Sequence, residues 1–192
     1  MPPMLQSKWQ ISTNSWQNKF FRQSVIMTNE IEKPAFQDRL HNKRVGRELA
    51  MQYLFQCTLT GEKFSAASWE AFMLQAGEEH HITGNRYGRK CREYAEKLIE
   101  VCINDKERIE ETIRNNARNW SPERISAVDY AILTVAIAEM LNFTDVPPIV
   151  SIDEAAAITR DYSDERACDF INGILNAVKV TLNRPEREGV KA

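Results

Sequence analysis

Three observations predict an all-α fold. Seven glycines and seven prolines among 192 residues fall well below the roughly 12% that these two breakers average together. Turn-rich β architectures would lack their punctuation. From Asn42 onward, apolar residues recur at three- and four-residue spacing, the pattern of amphipathic helices. No stretch alternates apolar and polar residues as a half-buried strand does. Composition supports a globular chain, with 43% hydrophobic and 27% charged residues. A formal net charge of −2 excludes a polycation, so nucleic-acid binding would need a local basic patch. No apolar run approaches the ~20 residues of a membrane-spanning helix.

The elements follow in order. A first helix over about 43–59 places Gly46, Ala50, Tyr53, Leu54 and Cys57 on one face, and Gly61 stops it. A second, over about 69–80, starts after Ser68 and buries Trp69, Phe72, Met73 and Ala76. A third, over about 88–103, carries Cys91, Tyr94, Ala95, Leu98 and Cys102 on one stripe. Asn104 reads as the next N-cap, with Glu107 at capping-box spacing. The helix that follows presents Ile109, Ile113, Asn116 or Ala117, and Trp120. Ser121-Pro122 reads as an N-cap followed by proline at the first helical position. The run Ala131–Ala138 is apolar nearly all round, which predicts a helix at the centre of a bundle. Pro147-Pro148 forces an extended link, and Ser151 with Glu154 reads as another capping box. That box leads Ile152, Ala155, Ala156 and Thr159. A last helix from about 164 shows a core stripe of Ala167, Phe170, Ile171, Ile174, Leu175 and Val178. Gly173 within it is read as a point of close helix approach.

Three segments are expected. Residues 1–41 carry no Asp or Glu through Asn29 and mix Lys8, Lys19 and Arg22 with polar and aromatic residues. They read as a disordered or mis-annotated N-terminal extension, with Met27 as an alternative start. Residues 42–182 form the helical domain, and 183–192 a flexible tail.

Enzyme chemistry finds no motif. No phosphate loop, GxSxG or HExxH is present, and no catalysis or cofactor is expected. Cys57, Cys91, Cys102 and Cys168 form no CxxC pair. His80, His81 and Cys91 fit no ligand spacing, so no metal is expected. The thiols read as reduced cysteines of a cytosolic protein. Asp129 is the one acid whose apolar surroundings suggest burial.

Basic residues are more informative. Lys43, Arg44 and Arg47 open the first helix, where cations oppose the macrodipole, and phosphate binding would account for that cost. Arg44, Arg47, Met51 and Phe55 share one stripe, so Phe55 could stack a base of single-stranded RNA. The plainer alternative is a solvated basic start with Phe55 packed on another helix. A second cluster, Arg86, Arg89, Lys90 and Arg92 around Tyr87, reads as a solvated loop and first turn.

Arg44-Val45-Gly46-Arg47-Glu48-Leu49-Ala50-Met51-Gln52-Tyr53-Leu54-Phe55 resembles the R-x-A-R-E-x-A-x-Q-x-L-Y signature of the NusB family of transcription antitermination factors. Asn119-Trp120, Arg124 and Asp129-Tyr130-Ala131-Ile132-Leu133 resemble its N-W…R…A-I-L-R segment, and Ala138-Glu139-Met140 its Y-E-L. Val146-Pro147 through Ile152-Asp153-Glu154-Ala155 is similar to P-x-x-V-x-I-N-E-A, and Phe170–Asn176 to F-V-N-G-V-L-D. The resemblance runs from about Lys43 to Val180. It implies a bundle of about seven helices in two helical subdomains and a cytoplasmic, non-catalytic role. The implied partners are boxA-like single-stranded RNA, the ribosomal protein NusE and the transcription elongation complex, supporting ribosomal RNA operons. RNA contacts carried over by position are Lys43, Arg44, Arg47, Phe55 and Asp129. Arg166 and Phe170 carry over as NusE-facing. Here Phe55 stands for Tyr, Val45 and Gly46 thin the arginine run, Thr134 stands for Arg and Asp153 for Asn. A protein-binding helical adaptor, or a homodimer without strong RNA binding, is the competing class.

Overall fold

The computed structural model describes residues 42–80, 82, 84–117, 125–182 and 185. Among them are seven α-helices and no strand: α1 Asn42–Thr60, α2 Ala66–Glu79, α3 Arg86–Asn104, α4 Lys106–Asn116, α5 Ala127–Asn142, α6 Pro148–Tyr162 and α7 Glu165–Thr181. The segment 1–41, His81, Trp120, the Ser121-Pro122 cap and most of the tail from Asn183 lie outside the described residues.

Helix α5 is central, as its apolar run requires. Val128, Ala131–Leu133 and Val135–Met140 are buried, and α1, α4, α6 and α7 all pack on it. Its N-cap is Ser126, whose hydroxyl accepts from the Asp129 N–H at 3.1 Å. Helix α1 is enclosed too, with every residue from Arg44 to Tyr53 buried. It lies mainly against α3, while α6 packs on α7. Helix α2 docks through aromatic rings. Tyr53 meets Trp69 at 5.1 Å and Phe72 at 5.3 Å, and the Trp69 indole donates to Glu96 of α3 at 2.8 Å.

Several helix ends differ from the sequence expectation. Helix α2 starts three residues earlier, because Ser65 and Ser68 cap each other's backbone N–H groups at 3.0 and 3.2 Å. Asn104 is the last residue of α3 and not an N-cap. The helical hydrogen bonding runs on to the Asp105 N–H, which donates to the Val101 carbonyl at 2.9 Å. Pro148 opens α6, since proline needs no N–H there and its φ is already helical. Ser151 therefore lies inside the helix, not at its cap. Gly61 ends α1 with φ +71°, the left-handed conformation glycine adopts most easily.

The close approach falls on Gly46, not Gly173. A Cβ on Gly46 would meet the Tyr94 Cβ at 2.9 Å and the Cys91 carbonyl at 3.0 Å, whereas Gly173 has nothing within 4 Å. Among the described residues no helix is long and apolar enough to cross a membrane, and no group of three or more His, Cys, Asp or Glu could hold a metal ion.

These two glycines make a matched test. Gly46→Ala is expected to lower stability by about 1–3 kcal/mol through overpacking, despite alanine's better helix propensity. Gly173→Ala should be neutral or raise stability by up to ~1 kcal/mol. Urea unfolding midpoints of the two variants check both.

Candidate nucleic-acid interface

The expected RNA-facing stripe of α1 begins at Lys43. Its ammonium lies 3.2 Å from Asp145, an open pair on the surface, and 5.3 Å from the centre of the Tyr94 ring. The next two cations point inward. Arg44 is only 8% exposed and Arg47 only 4%.

Arg44 donates through Nε to Glu48 at 2.6 Å and through Nη2 to Asp161 at 2.7 Å. Its Nη1 donates to the Glu154 carbonyl at 3.2 Å. Arg47 donates through Nε to both oxygens of Glu139 at 2.9 and 3.0 Å, with its guanidinium 5.5 Å from the Tyr94 ring centre. Glu154 lies 3.5 Å from each arginine and links the two. Glu139 is fully buried. It also accepts from the Tyr94 hydroxyl in a short hydrogen bond and from the Ser151 hydroxyl at 2.6 Å.

Electrostatics follows burial in this cluster. Loss of hydration pushes the Glu48 carboxyl above its usual range, and the hydrogen bond from Arg44 counters only part of that rise. The Tyr94 phenol is driven strongly upward by burial and by the Glu139 charge. It therefore stays protonated and available as a donor. Behind Glu48 the network continues to His80 at 3.6 Å, and from His80 to Gln52 at 3.1 Å and on to the Tyr162 hydroxyl at 3.2 Å.

The basic stripe expected to be exposed along α1 is therefore corrected. Arg44 and Arg47 are consumed by internal carboxylates and Met51 is fully buried. Only Lys43 and Phe55 reach solvent, and Phe55 is half-buried at the edge of the core. Asp129 is buried as expected, but both its oxygens accept hydroxyls, from Ser126 and Ser163 at 2.6 Å each. Phe170 is buried in the core, while Arg166 one helical turn earlier is exposed. A separate open groove of about 710 Å³ is bordered by Leu54, Cys57, Phe64, Cys102, Ile103 and Tyr130. None of the expected site residues lines it.

Sequence reasoning missed Glu139, Ser151 and Tyr94. The signal was Glu139, an acid set between the apolar run Ala131–Ala138 and Met140-Leu141, which demands a buried partner.

Removing one partner of this buried pair should be costly. Arg47→Ala is expected to lower stability by about 3–5 kcal/mol, because Glu139 stays buried without its counter-charge. Lys43→Ala, which removes the exposed pair with Asp145 and the contact over the Tyr94 ring, should cost about 1 kcal/mol. Denaturant titrations of both variants make the comparison, and equal midpoints would mean that the Arg47–Glu139 pair contributes little.

Comparison with known proteins agrees with this architecture. The family model described as the NusB family matches residues 44–179. The transcription antitermination protein NusB of Bacillus cereus (strain B4264) is 39% identical over 140 residues, covering 73% of this chain and 98% of that protein. The NusB of Bacillus mycoides (strain KBAB4) matches equally well, again 39% over 140 residues with the same coverage. Among solved structures, T. maritima NusB superposes with a TM-score of 0.60 at 27% identity, covering 72% of this chain and 91% of that one. A crystal structure of the antitermination factors NusB and NusE in complex with dsRNA gives a TM-score of 0.60 at 23% identity, covering 74% and 99%, a likeness of fold. Matched over more than two thirds of its length by the family model and by relatives 39% identical, the chain belongs to the NusB family.

Proposed function

We propose that this chain is a non-catalytic transcription antitermination factor that acts in the cytoplasm. In this reading it binds boxA-like single-stranded RNA together with NusE, as part of a transcription elongation complex on ribosomal RNA operons. The observation that carries the reading is the family match over residues 44–179, with relatives named as transcription antitermination proteins at 39% identity. The solved complex of NusB and NusE with dsRNA shares this fold and supports NusE and RNA as the classes of partner.

The roles divide by exposure. Lys43 exchanges its exposed Asp145 partner for a phosphate, and Phe55 stacks a base on its ring. Arg166, exposed near the start of α7, faces NusE. Arg44, Arg47, Asp129 and Phe170 act beneath this surface: they fix α1, the start of α5 and the start of α7 relative to one another. Their buried hydrogen bonds and packing support that assignment. Residues 42–182 form the binding domain, preceded by an N-terminal extension and followed by a short tail.

Fluorescence anisotropy of a labelled boxA-like RNA, with and without NusE and across salt concentrations, tests the reading. Wild-type binding should weaken as salt rises, because phosphate contacts release counterions. Phe55→Ala should weaken binding at least several-fold, in keeping with the ~1–3 kcal/mol that base stacking is worth. Because Phe55 is half-buried against the core, the variant's unfolding free energy should fall, but by less than the ~3–5 kcal/mol that truncating a fully buried Phe costs. Phe55→Tyr, which restores the hydroxyl of the family signature, should bind as well or better. A folded wild type that captures NusE yet binds no RNA in either condition would be the helical adaptor instead, and sedimentation would show whether it dimerises.

A further inference from the structure

RNA binding by this chain needs surface cations, and the overall charge does not supply them. Arg44 and Arg47 face carboxylates inside the fold, which leaves the half-buried Lys43 as the cation of the first turn of α1 that reaches solvent. The second basic cluster of the sequence changes meaning in this light.

Of its four cations, Arg92 is taken internally. It pairs with Glu70 in a short contact and with Glu96 at 2.8 Å. Arg86, Arg89 and Lys90 are exposed, and among the described residues none has an acidic partner within 4 Å. Among the described residues their side chains form one hydrogen bond, from Arg89 Nη1 to the Gly84 carbonyl at 2.7 Å. That bond uses one of five guanidinium donors. Arg86 lies three and four residues before Arg89 and Lys90, so the three like charges are neighbours on the helix surface and repel one another. They also stand at the positive end of the α3 macrodipole, with no acid in that first turn. An external anion would relieve both strains at once.

The placement of this turn is equally informative. Helices α1 and α3 run side by side in the same direction. Gly46 faces Cys91 and Tyr94, and further along Leu54 and Cys57 border the same groove as Cys102 and Ile103. The first turns of both helices therefore lie at one end of the bundle. At 1.5 Å per residue, Arg86–Lys90 sit roughly 6–12 Å beyond the level of Tyr94, the ring over which Lys43 is held. Lys43, Arg86, Arg89 and Lys90 thus occupy the same end of the molecule from two adjacent helices.

We propose that the first turn of α3, through Arg86, Arg89 and Lys90, is a phosphate-binding surface that continues the RNA path past Lys43. This rests on the RNA-binding reading above and names a contact site within it. The partner is the sugar–phosphate backbone of single-stranded RNA. The contacts would be non-specific in sequence, since cations on an exposed helical turn position a strand without reading its bases.

The test is the salt dependence of binding by the full chain, measured with labelled boxA-like RNA alone and with NusE. The variant Arg86→Ala/Arg89→Ala/Lys90→Ala should flatten the slope of log affinity against log salt by about two units, at roughly 0.7 per phosphate contact on single strands. At low salt it should bind at least tenfold more weakly. Arg86→Lys/Arg89→Lys, which keeps the charges, should retain the wild-type slope. Lys63→Ala/Lys106→Ala/Arg108→Ala removes the same charge elsewhere and should change the slope by less than half as much. Circular dichroism melts should show the triple alanine variant folded, since these side chains are exposed.

An unchanged slope in a folded Arg86/Arg89/Lys90 variant overturns the proposal while leaving the RNA reading intact. So does an equal loss in the Lys63/Lys106/Arg108 control, which would reduce the effect to net charge. A defect seen only with NusE and absent with RNA alone would make the turn a protein contact and also overturn it. No RNA binding by wild type under any condition would overturn the RNA reading itself.

Discussion

Glu139 brings a fully buried carboxylate into the last turn of the most apolar described helix, and four helices are organised by the need to keep it paired. Its oxygens accept from Arg47 of α1, Tyr94 of α3 and Ser151 of α6. An ionised carboxylate buried without partners would cost several kcal/mol, so these donors must arrive together. Their convergence fixes the rotation of α1 about its own axis. With Arg47 turned onto α5, Gly46 is turned onto α3, where only a residue without a Cβ allows the helices to close. The polar bond and the close crossing are two consequences of one orientation.

From that point the network opens toward solvent. Arg44 bridges the buried Glu48, the partly covered Glu154 and the largely exposed Asp161. Such a gradient suits arginine, whose planar fork serves several acceptors and which stays charged when buried. It also explains how α1 tolerates being enclosed on nearly all sides although its residues are not uniformly apolar. Arg44 and Arg47 find acidic complements on α5 and α6, and Glu48 finds its own on Arg44 within the helix, rather than in water. The price is that these cations are committed before any ligand arrives.

Much of this was legible in the sequence, and the failures have specific causes. The helical period identified every described helix, and the apolar run Ala131–Ala138 correctly marked the centre of the bundle. The stripe Ala167 to Val178 is buried as read. Helix ends were less legible, because a capping motif competes with the helix that precedes it. Asn104 followed by Glu107 has the right spacing, yet α3 is still in its hydrogen-bonded ladder there. Ser151 and Glu154 have the spacing too, but Pro148 starts the helix earlier. The site was the least legible part. An arginine at helical spacing looks the same whether it faces water or a buried acid ninety residues away. Only Glu139, an acid between the run Ala131–Ala138 and Met140-Leu141, hinted at the long-range partner of Arg47.

This arrangement separates what holds the fold from what can meet a ligand, and it changes how a loss of binding must be interpreted. Arg44 and Arg47 stand in the family signature next to Phe55, so a variant at either position would be expected to bind RNA poorly. Their burial means that such a loss can arise from a displaced α1, with no phosphate contact involved. Affinity alone cannot distinguish the two causes, because both lower it. The salt slope can, since it counts the phosphates neutralised, and a scaffold residue does not enter that count while the protein stays folded. By the same logic base stacking at Phe55 should change affinity with little effect on the slope. Exposed cations would set the slope, the half-buried ring would set the stacking, and the buried ion pairs would set the geometry in which both are presented.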